Sequence, residues 1–204
     1  MARRILVTWV GHNDLGAMSM HTKISVAHQS IIDKIFEKKN INEGFGPIKG
    51  LTDSERFDEV HLIGNEDESL LRKYLQWINI PGRVHSIKIE NPSEHSEIYR
   101  LVVPILESLK LDTRDELCFH LSPGTAAMAS IWILLGKSKF PATLFQTYFD
   151  PKSKTSRVWK TEIPFDITVD VLPQFMREPD RLMQHLMTHS PQETQGFESI
   201  IGDS

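Results

Sequence analysis

The sequence predicts an α/β fold with a Rossmann-like, mainly parallel six-stranded sheet and helices on both of its faces. Short β-branched runs alternate with helical patterns in the order βαβαβαβα, and a C-terminal β-hairpin follows them. Alternation of this kind favours parallel strands joined by right-handed crossovers. The chain has 204 residues, of which 40% are apolar and 25% charged, so it is long enough to bury a real core.

The predicted strands are short apolar or alternating runs bounded by Gly, Pro and Asn. They cover residues 5–9, 59–64, 84–89, 116–121, 142–149 and 157–163, and the last two form the hairpin.

The predicted helices show apolar residues at helical spacing, at 24–36, 70–78 and 98–109. Pro104 predicts either a kink in the third of these or a later start. Residues 126–135 are apolar on every side, as in a helix buried between layers. The Gly- and Pro-rich residues 40–53 are predicted to be a loop.

Three segments are predicted along the chain. Residues 1–165 form the sheet domain, and residues 166–195 form an amphipathic helical linker or dimerisation segment that Pro179 interrupts. Residues 196–204 form the third segment.

Composition excludes several classes of protein. The chain has 23 basic and 27 acidic side chains, a net charge of −4 and no block of like charges, which disfavours a dedicated duplex-DNA binder. The single cysteine, Cys118, favours a reducing compartment and is predicted to be buried. The longest apolar stretch, residues 128–135, is far short of the roughly 20 residues of a membrane span. We therefore expect a cytoplasmic protein without a membrane partner.

Two loops, residues 10–16 and 122–125, follow the first and fourth predicted strands. These strands are neighbours at the switch point of a doubly wound sheet, where ligands bind, so the two loops should lie side by side. In the second loop, Gly124 permits close approach of the backbone, and the next helix directs its N-terminal N–H groups outward. This chemistry suits a phosphate or a nucleotide. In the alternative interpretation, Ser122 or Thr125 only caps the helix and the first loop is merely solvated. The candidate ligand-binding residues are Gly11, His12, Asn13, Asp14, Ser122, Pro123, Gly124, Thr125 and Met128.

Sharper motifs are rejected. Residues 11–16 have the glycine spacing of a P-loop, but Ala17 and Met18 stand where Lys and Ser or Thr are required. The nine histidines show no metal-binding spacing, so no metal site is predicted. His120, just before the second loop, is the one strand histidine that remains a site candidate. No catalytic residue is predicted, since a Ser122–His12–Asp14 triad would lack the nucleophile-elbow pattern.

Three stretches together resemble the CARF domains, which are Rossmann-like sensors of oligonucleotide second messengers. Residues 120–136 (HLSPGTAAMASIWILLG) are similar to the fourth strand and following helix of that family, and residues 7–14 and 57–64 are similar to its first-strand loop and second strand. Ala126 stands where many CARF domains have Lys. The resemblance implies a homodimer that binds a cyclic oligoadenylate or a short RNA across its two-fold axis.

The C-terminal residues 196–204 (GFESIIGDS) resemble the opening of the AAA+ domain of sigma-54-dependent activators. Together the resemblances point to RtcR-like regulators, in which a CARF sensor precedes the AAA+ and DNA-binding domains. They imply that this chain is a sensor fragment with no cofactor of its own. ATP and Mg would bind the absent AAA+ domain, and contacts with sigma-54 RNA polymerase and DNA would use absent domains.

The predicted function is therefore a non-enzymatic sensor of an RNA-derived ligand, a cyclic oligoadenylate or an RNA end, that controls a downstream AAA+ ATPase. One alternative is a metal-independent ring nuclease in which Ser122, Thr125 and His12 hold the phosphodiester for in-line attack. Another is a dimerisation module without a ligand.

Overall fold

The structure is a computed structural model that describes residues 2–36, 44–150, 152–153 and 155–164. The predicted linker at 166–195 and the AAA+-like segment at 196–204 lie outside the described residues. Contacts divide the chain after Ile163, and the sheet domain is the first of the two units. No helix in the described ranges is both long enough and apolar enough to cross a bilayer.

The described elements follow the predicted alternation, with two additional helices. The strands are β1 Arg4–Trp9, β2 Glu59–Gly64, β3 Gly82–Ser86, β4 Glu116–His120, β5 Thr143–Asp150 and β6 Thr155–Lys160. The helices are α1 His12–His21, α2 Val26–Phe36, α3 Pro47–Ser54, α4 Glu68–Ile78, α5 His95–Ser108 and α6 Ala126–Gly136.

The strands form one six-stranded sheet in the order β3-β2-β1-β4-β5-β6. All neighbouring strands pair in parallel except β5 and β6, which form an antiparallel hairpin. The predicted α/β, Rossmann-like fold class is confirmed. The chain returns from β3 to β4 on the far side of β1, so the switch point lies between β1 and β4.

Helices cover the sheet on both faces, and each face has its own apolar core. Helices α1 to α4 pack on one face, where the largest buried side chains include Leu15, Met18, Leu51 and Tyr74. Helices α5 and α6 pack on the other face, around Trp132 and Phe119. The helix predicted at 126–135 is α6, but it is not buried between layers: one side packs into this core, whereas Leu134 on the other side is 54% exposed.

Two helices replace predicted loops. Helix α1 begins at His12, inside the predicted loop at 10–16, and α3 begins at Pro47, inside the predicted loop at 40–53. In α1 the residues Asp14 to Met18 are all buried, so the one-sided apolar spacing that marks a surface helix is missing. In α3, Pro47 lies in the first helical turn, where the backbone N–H that proline lacks would have no acceptor within the helix. A proline there is therefore compatible with a helix as well as with a loop.

Several predicted boundaries were also wrong by a few residues. Strand β3 begins and ends earlier than predicted, and β6 does so as well. Helix α5 begins at His95, after the Glu94 carboxylate accepts a bond from the Ser96 N–H at 3.1 Å, and continues past Pro104. The predicted late start is therefore wrong. Pro104 is exposed, so the hydrogen bond that it removes is on the side facing water.

Candidate ligand cleft

A cleft of about 420 Å³ lies at the carboxyl ends of the strands, over the switch point between β1 and β4. It includes all nine residues predicted from the two loops, so the prediction that these loops lie side by side is confirmed. Whether those residues bind a ligand stays a prediction. The described lining residues are Trp9, Val10, Gly11, His12, Asn13, Asp14, Phe36, Pro47, Gly64, Asn65, Glu66, Ile89, Pro92, Ser122, Pro123, Gly124, Thr125 and Met128.

Two helix N-termini meet at this cleft. Gly11 caps α1, so His12 and Asn13 are its first two residues and both are exposed. Thr125 caps α6, which places Ala126 and Ala127 in the equivalent positions. First-turn N–H groups have no acceptor within their own helix, and the helix dipole adds partial positive charge there. The arrangement therefore suits an anion such as a phosphate.

The Asp14 side chain lies behind the wall of the cleft, with 0% of the residue exposed. One carboxylate oxygen accepts from the Gly11 N–H at 3.1 Å, and the other accepts from the Ile48 N–H at 2.9 Å and the Tyr74 hydroxyl at 3.3 Å. Burial raises the pKa of the Asp14 carboxyl to about 7, although these three donors act in the opposite direction. Asp14 thus holds the β1–α1 turn against α3 and α4, and the Gly11 N–H is already used within the protein.

The two hydroxyls of the second loop are also occupied by the protein backbone. The Thr125 hydroxyl accepts from the Met128 N–H at 3.3 Å and donates to the Pro92 carbonyl at 2.6 Å. The Ser122 hydroxyl donates to the Thr147 carbonyl at 2.9 Å and accepts from the Thr147 N–H at 2.7 Å. Thr125 is therefore a helix cap, as the alternative interpretation held, and Ser122 links this loop to β5.

Gly124 is the exposed tip of the second loop and has a φ of +87°. This left-handed conformation favours glycine. A Cβ atom at Gly124 would lie 2.6 Å from the Met128 sulfur and 3.4 Å from the Trp9 Cβ. The loop thus lies directly on Met128 and Trp9, which form part of the apolar floor of the cleft.

Sequence reasoning missed a third part of the wall, the turn after β2. Gly64, Asn65 and Glu66 line the cleft, and Asn65 binds the backbone of Ile89, whose N–H donates to its side-chain oxygen at 3.0 Å. A signal was present in the sequence. Strand β2 ends in Gly-Asn next to β1, so the carboxyl-end rule applied to it as well.

His120 does not belong to the cleft, which corrects the expectation that it is a site candidate. It is fully buried on β4, where its Nε2 contacts the Thr147 hydroxyl at 3.1 Å and its Nδ1 has no hydrogen-bond partner. Burial lowers the pKa of His120 to about 3, so the ring is neutral at physiological pH. The thiol of Cys118 is likewise buried, as predicted, and burial raises its pKa to about 12.

Charge in the cleft comes from helix ends rather than from cationic side chains. Among the described residues that line it, none is Lys or Arg. The described ranges also contain no cluster of three or more His, Cys, Asp or Glu side chains able to hold a metal ion.

The order of strands defines a Rossmann-like domain with a cleft at its switch point. Forty-one chains of solved structures match this fold. One of them is Enterococcus italicus Csm6 bound to cyclic hexa-2'-fluoro-hexa-dAMP, with a TM-score of 0.55 and 15% sequence identity over 79% of this chain. The two proteins thus share a Rossmann-like fold, which agrees with the fold that the sequence resemblance implies.

This chain spans 42% of the length of that Csm6 chain, so the similarity concerns one part of the larger protein. No protein-family model and no curated protein matches the sequence.

Proposed function

We propose that this chain is a sensor domain that binds a cyclic oligoadenylate at the cleft over β1 and β4. The observation that carries the proposal is the convergence of the N-termini of α1 and α6 on one cleft. Helix N-termini bind phosphate without a cationic side chain, which agrees with the absence of Lys and Arg among the described lining residues. The likeness to a Csm6 solved with a cyclic hexanucleotide supports the choice of ligand class.

The volume of the cleft supports a dimer. About 420 Å³ lies within the range of small-molecule pockets, roughly 300–1,000 Å³, and holds only part of a cyclic oligonucleotide. A two-fold axis next to the cleft would bring a second copy to the rest of the ring. We therefore propose a homodimer that binds one ring between its two clefts.

Calorimetry with cyclic tetra- and hexa-adenylate tests this proposal. Asn13→Glu places a negative charge at the start of α1, on an exposed residue whose replacement leaves the core untouched. Affinity is expected to fall at least tenfold because the new carboxylate repels phosphate. Gln76→Glu adds the same charge to an exposed position near the end of α4 and is expected to bind like the unaltered protein. If both variants bind as tightly as the unaltered protein, the ligand does not bind at the start of α1 and the proposed site is wrong.

An RNA end remains the alternative ligand. RNAs with a 2',3'-cyclic phosphate or a 5'-hydroxyl are therefore titrated in parallel with the rings. If these RNAs bind saturably and neither ring binds, the ligand is an RNA end rather than a cyclic oligoadenylate. Binding of none of the four ligands would favour a dimerisation module.

The domain is proposed to bind its ligand without cleaving it. The ring-nuclease alternative assigned Ser122, Thr125 and His12 to the phosphodiester, but the hydroxyls of Ser122 and Thr125 are bonded to backbone groups of the protein. Cyclic tetra- and hexa-adenylate should therefore stay intact during long incubation with excess protein. Linear products in that incubation would establish the nuclease.

The finer proposal is that ligand binding controls a downstream AAA+ ATPase, as in RtcR-like sigma-54-dependent activators. It rests on the resemblance of residues 196–204 to the opening of such an ATPase domain. A ligand that spans two subunits would bias their relative orientation, and the following segment would carry that change onward. The test is the ATPase rate of the full-length protein with and without the ring, which should differ.

A further inference from the structure

One acidic side chain in the cleft is unexplained by phosphate binding. Glu66 lines the cleft and is half-buried, although no Lys or Arg among the described lining residues offsets its charge. Asp14, the other carboxylate there, has its oxygens occupied by donors from the protein. A carboxylate repels phosphate, so a ligand that contacts Glu66 would do so through another of its groups.

The backbone around Glu66 is fixed on two sides. Its carbonyl accepts a hydrogen bond from the Ser86 hydroxyl at 2.7 Å, and the preceding Asn65 is bonded to Ile89. Gly64 leaves room for the Glu66 carboxylate at the end of β2, because a Cβ there would lie 2.8 Å from Oε2. The carboxylate is therefore held at the cleft wall rather than swinging freely in solvent.

The hydrogen-bonding capacity of this carboxylate is incompletely used. Its Oε2 is shielded from solvent and has no hydrogen-bond partner. Burial raises the pKa of the Glu66 carboxyl, although the N–H groups of Glu66 and Asn65 act against that shift. A shielded acceptor without a donor is unfavourable, and the terminal torsion of Glu is soft enough to turn either oxygen toward the cleft. A donor on a ligand would satisfy it.

The position of Glu66 relative to the helix N-termini indicates which group of the ligand is the donor. The helix N-termini that suit the phosphate lie over β1 and β4, whereas Glu66 follows β2, on the other side of β1 from β4. Neighbouring strands are about 4.8 Å apart, so Glu66 is roughly 7 Å to the side of the gap between β1 and β4. A nucleobase lies farther from its phosphate than the ribose hydroxyls do, so the base is the part of a nucleotide that reaches β2.

We propose that Glu66 is a specificity-determining residue that accepts a hydrogen bond from the exocyclic amino group of the base. The inference rests on the proposed function and names the part of the ligand that the turn after β2 recognises. Carboxylates accept from base amino groups in this way elsewhere. A pocket that offers such an acceptor discriminates against a base without the amino group, because the acceptor is then left without a partner.

The test compares cyclic tetra- and hexa-adenylate with the same rings carrying purine, which lacks the 6-amino group. The unaltered protein is expected to bind the adenine ring at least about tenfold more tightly than the purine ring. In Glu66→Ala this ratio is expected to fall to about one. Glu66→Gln keeps a carbonyl acceptor without the charge, so an intermediate ratio is expected. Glu68→Ala, which removes an exposed carboxylate paired with Arg72, should keep the full ratio.

Each contrary outcome has a distinct meaning. Binding of both rings with equal affinity by the unaltered protein would overturn the role of Glu66 and leave the proposed function standing. Unchanged affinities of Glu66→Ala for both rings would do the same. A loss of affinity in Glu66→Ala that is equal for both rings would assign Glu66 to a ribose hydroxyl instead. Binding of neither ring by the unaltered protein would remove the proposed function and this inference together.

Discussion

At the scale of single residues, polar side chains at the cleft form hydrogen bonds with backbone groups of the protein. Asp14 is the clearest case, because a fully buried carboxylate in the first turn of α1 offsets the partial positive charge of this helix start when it is ionised. Its pKa of about 7 means that this effect changes within the physiological pH range.

Ligand affinity is therefore expected to fall as pH rises through about 7, the pKa of Asp14. At roughly 7 Å and an effective dielectric constant of about 20, the added charge weakens binding of a phosphate by about tenfold or more. Asp14→Asn should flatten the pH dependence, whatever its effect on absolute affinity. His12→Gln removes the imidazole ring at the same helix start, so its pH profile shows whether His12 contributes to the pH dependence of affinity. Calorimetry between pH 6 and pH 8 provides the measurement, and a pH profile that survives in Asp14→Asn contradicts this role.

The backbone conformation at position 124 favours glycine. Gly124→Ala is expected to destabilise the domain by about 1–2 kcal/mol, because its φ of +87° is strained for a residue with a Cβ and the Met128 sulfur lies in the way. Denaturant unfolding measures the loss. In a Met128→Ala background the contact disappears and only the backbone strain remains, so the cost should be smaller there. An equal cost in both backgrounds would mean that Met128 moves aside freely.

At the scale of elements, the hydroxyl of Thr125 joins the start of α6 to the loop before α5 through Met128 and Pro92. Thr125→Ala should cost about 1–2 kcal/mol in unfolding free energy, because the cap and the bond to the Pro92 carbonyl are both lost. Thr125→Ser keeps the hydroxyl and should retain most of the stability. If the two variants were equally destabilised, the methyl group rather than the hydroxyl would be the important part.

The same scale shows how far the sequence determined the structure. The strands and α6 were predictable because their apolar runs have distinctive length and composition. Helix α1 was not, since residues 14–18 are buried on all sides and leave no amphipathic period. Parallel strands place their carboxyl ends at one edge of the sheet, so the contribution of the turn after β2 to the cleft was predictable as well. The bonds of Asp14 to Ile48 and Tyr74 were not, because those partners are 34 and 60 residues away.

At the scale of the whole molecule, two buried groups give the folded state opposite dependences on pH. His120 has a folded pKa of about 3, below the roughly 6.5 of an unfolded histidine, so its contribution is present above pH 6.5 and is lost as pH falls. Asp14 has a folded pKa of about 7, above its unfolded value of 3.8, so its contribution is lost as pH rises from 3.8 to 7.

These two contributions, each about 5 kcal/mol at most, oppose each other between about pH 4 and pH 6.5. Burial also lowers the pKa of His61 and His85, so each variant is compared with the unaltered domain, which shares those histidines. Relative to the unaltered domain, the slope of stability against pH should become more negative in His120→Gln and more positive in Asp14→Asn. Unfolding free energies from denaturant titrations at pH 4.5, 5.5 and 6.5 give the slopes. Changes of slope with the same sign in the two variants would contradict the assignment.

The central claim is that two helix N-termini form one oligonucleotide site at the switch point of the sheet. The most direct measurement follows backbone amide resonances of the ¹⁵N-labelled protein as cyclic hexa-adenylate is added. The largest shifts should fall on the first-turn amides of α1 and α6, at Asn13, Ala126 and Ala127, while residues of the β6 edge strand stay unchanged. Saturable shifts that leave both helix starts unaffected, or no shifts at any ligand concentration, would contradict the claim.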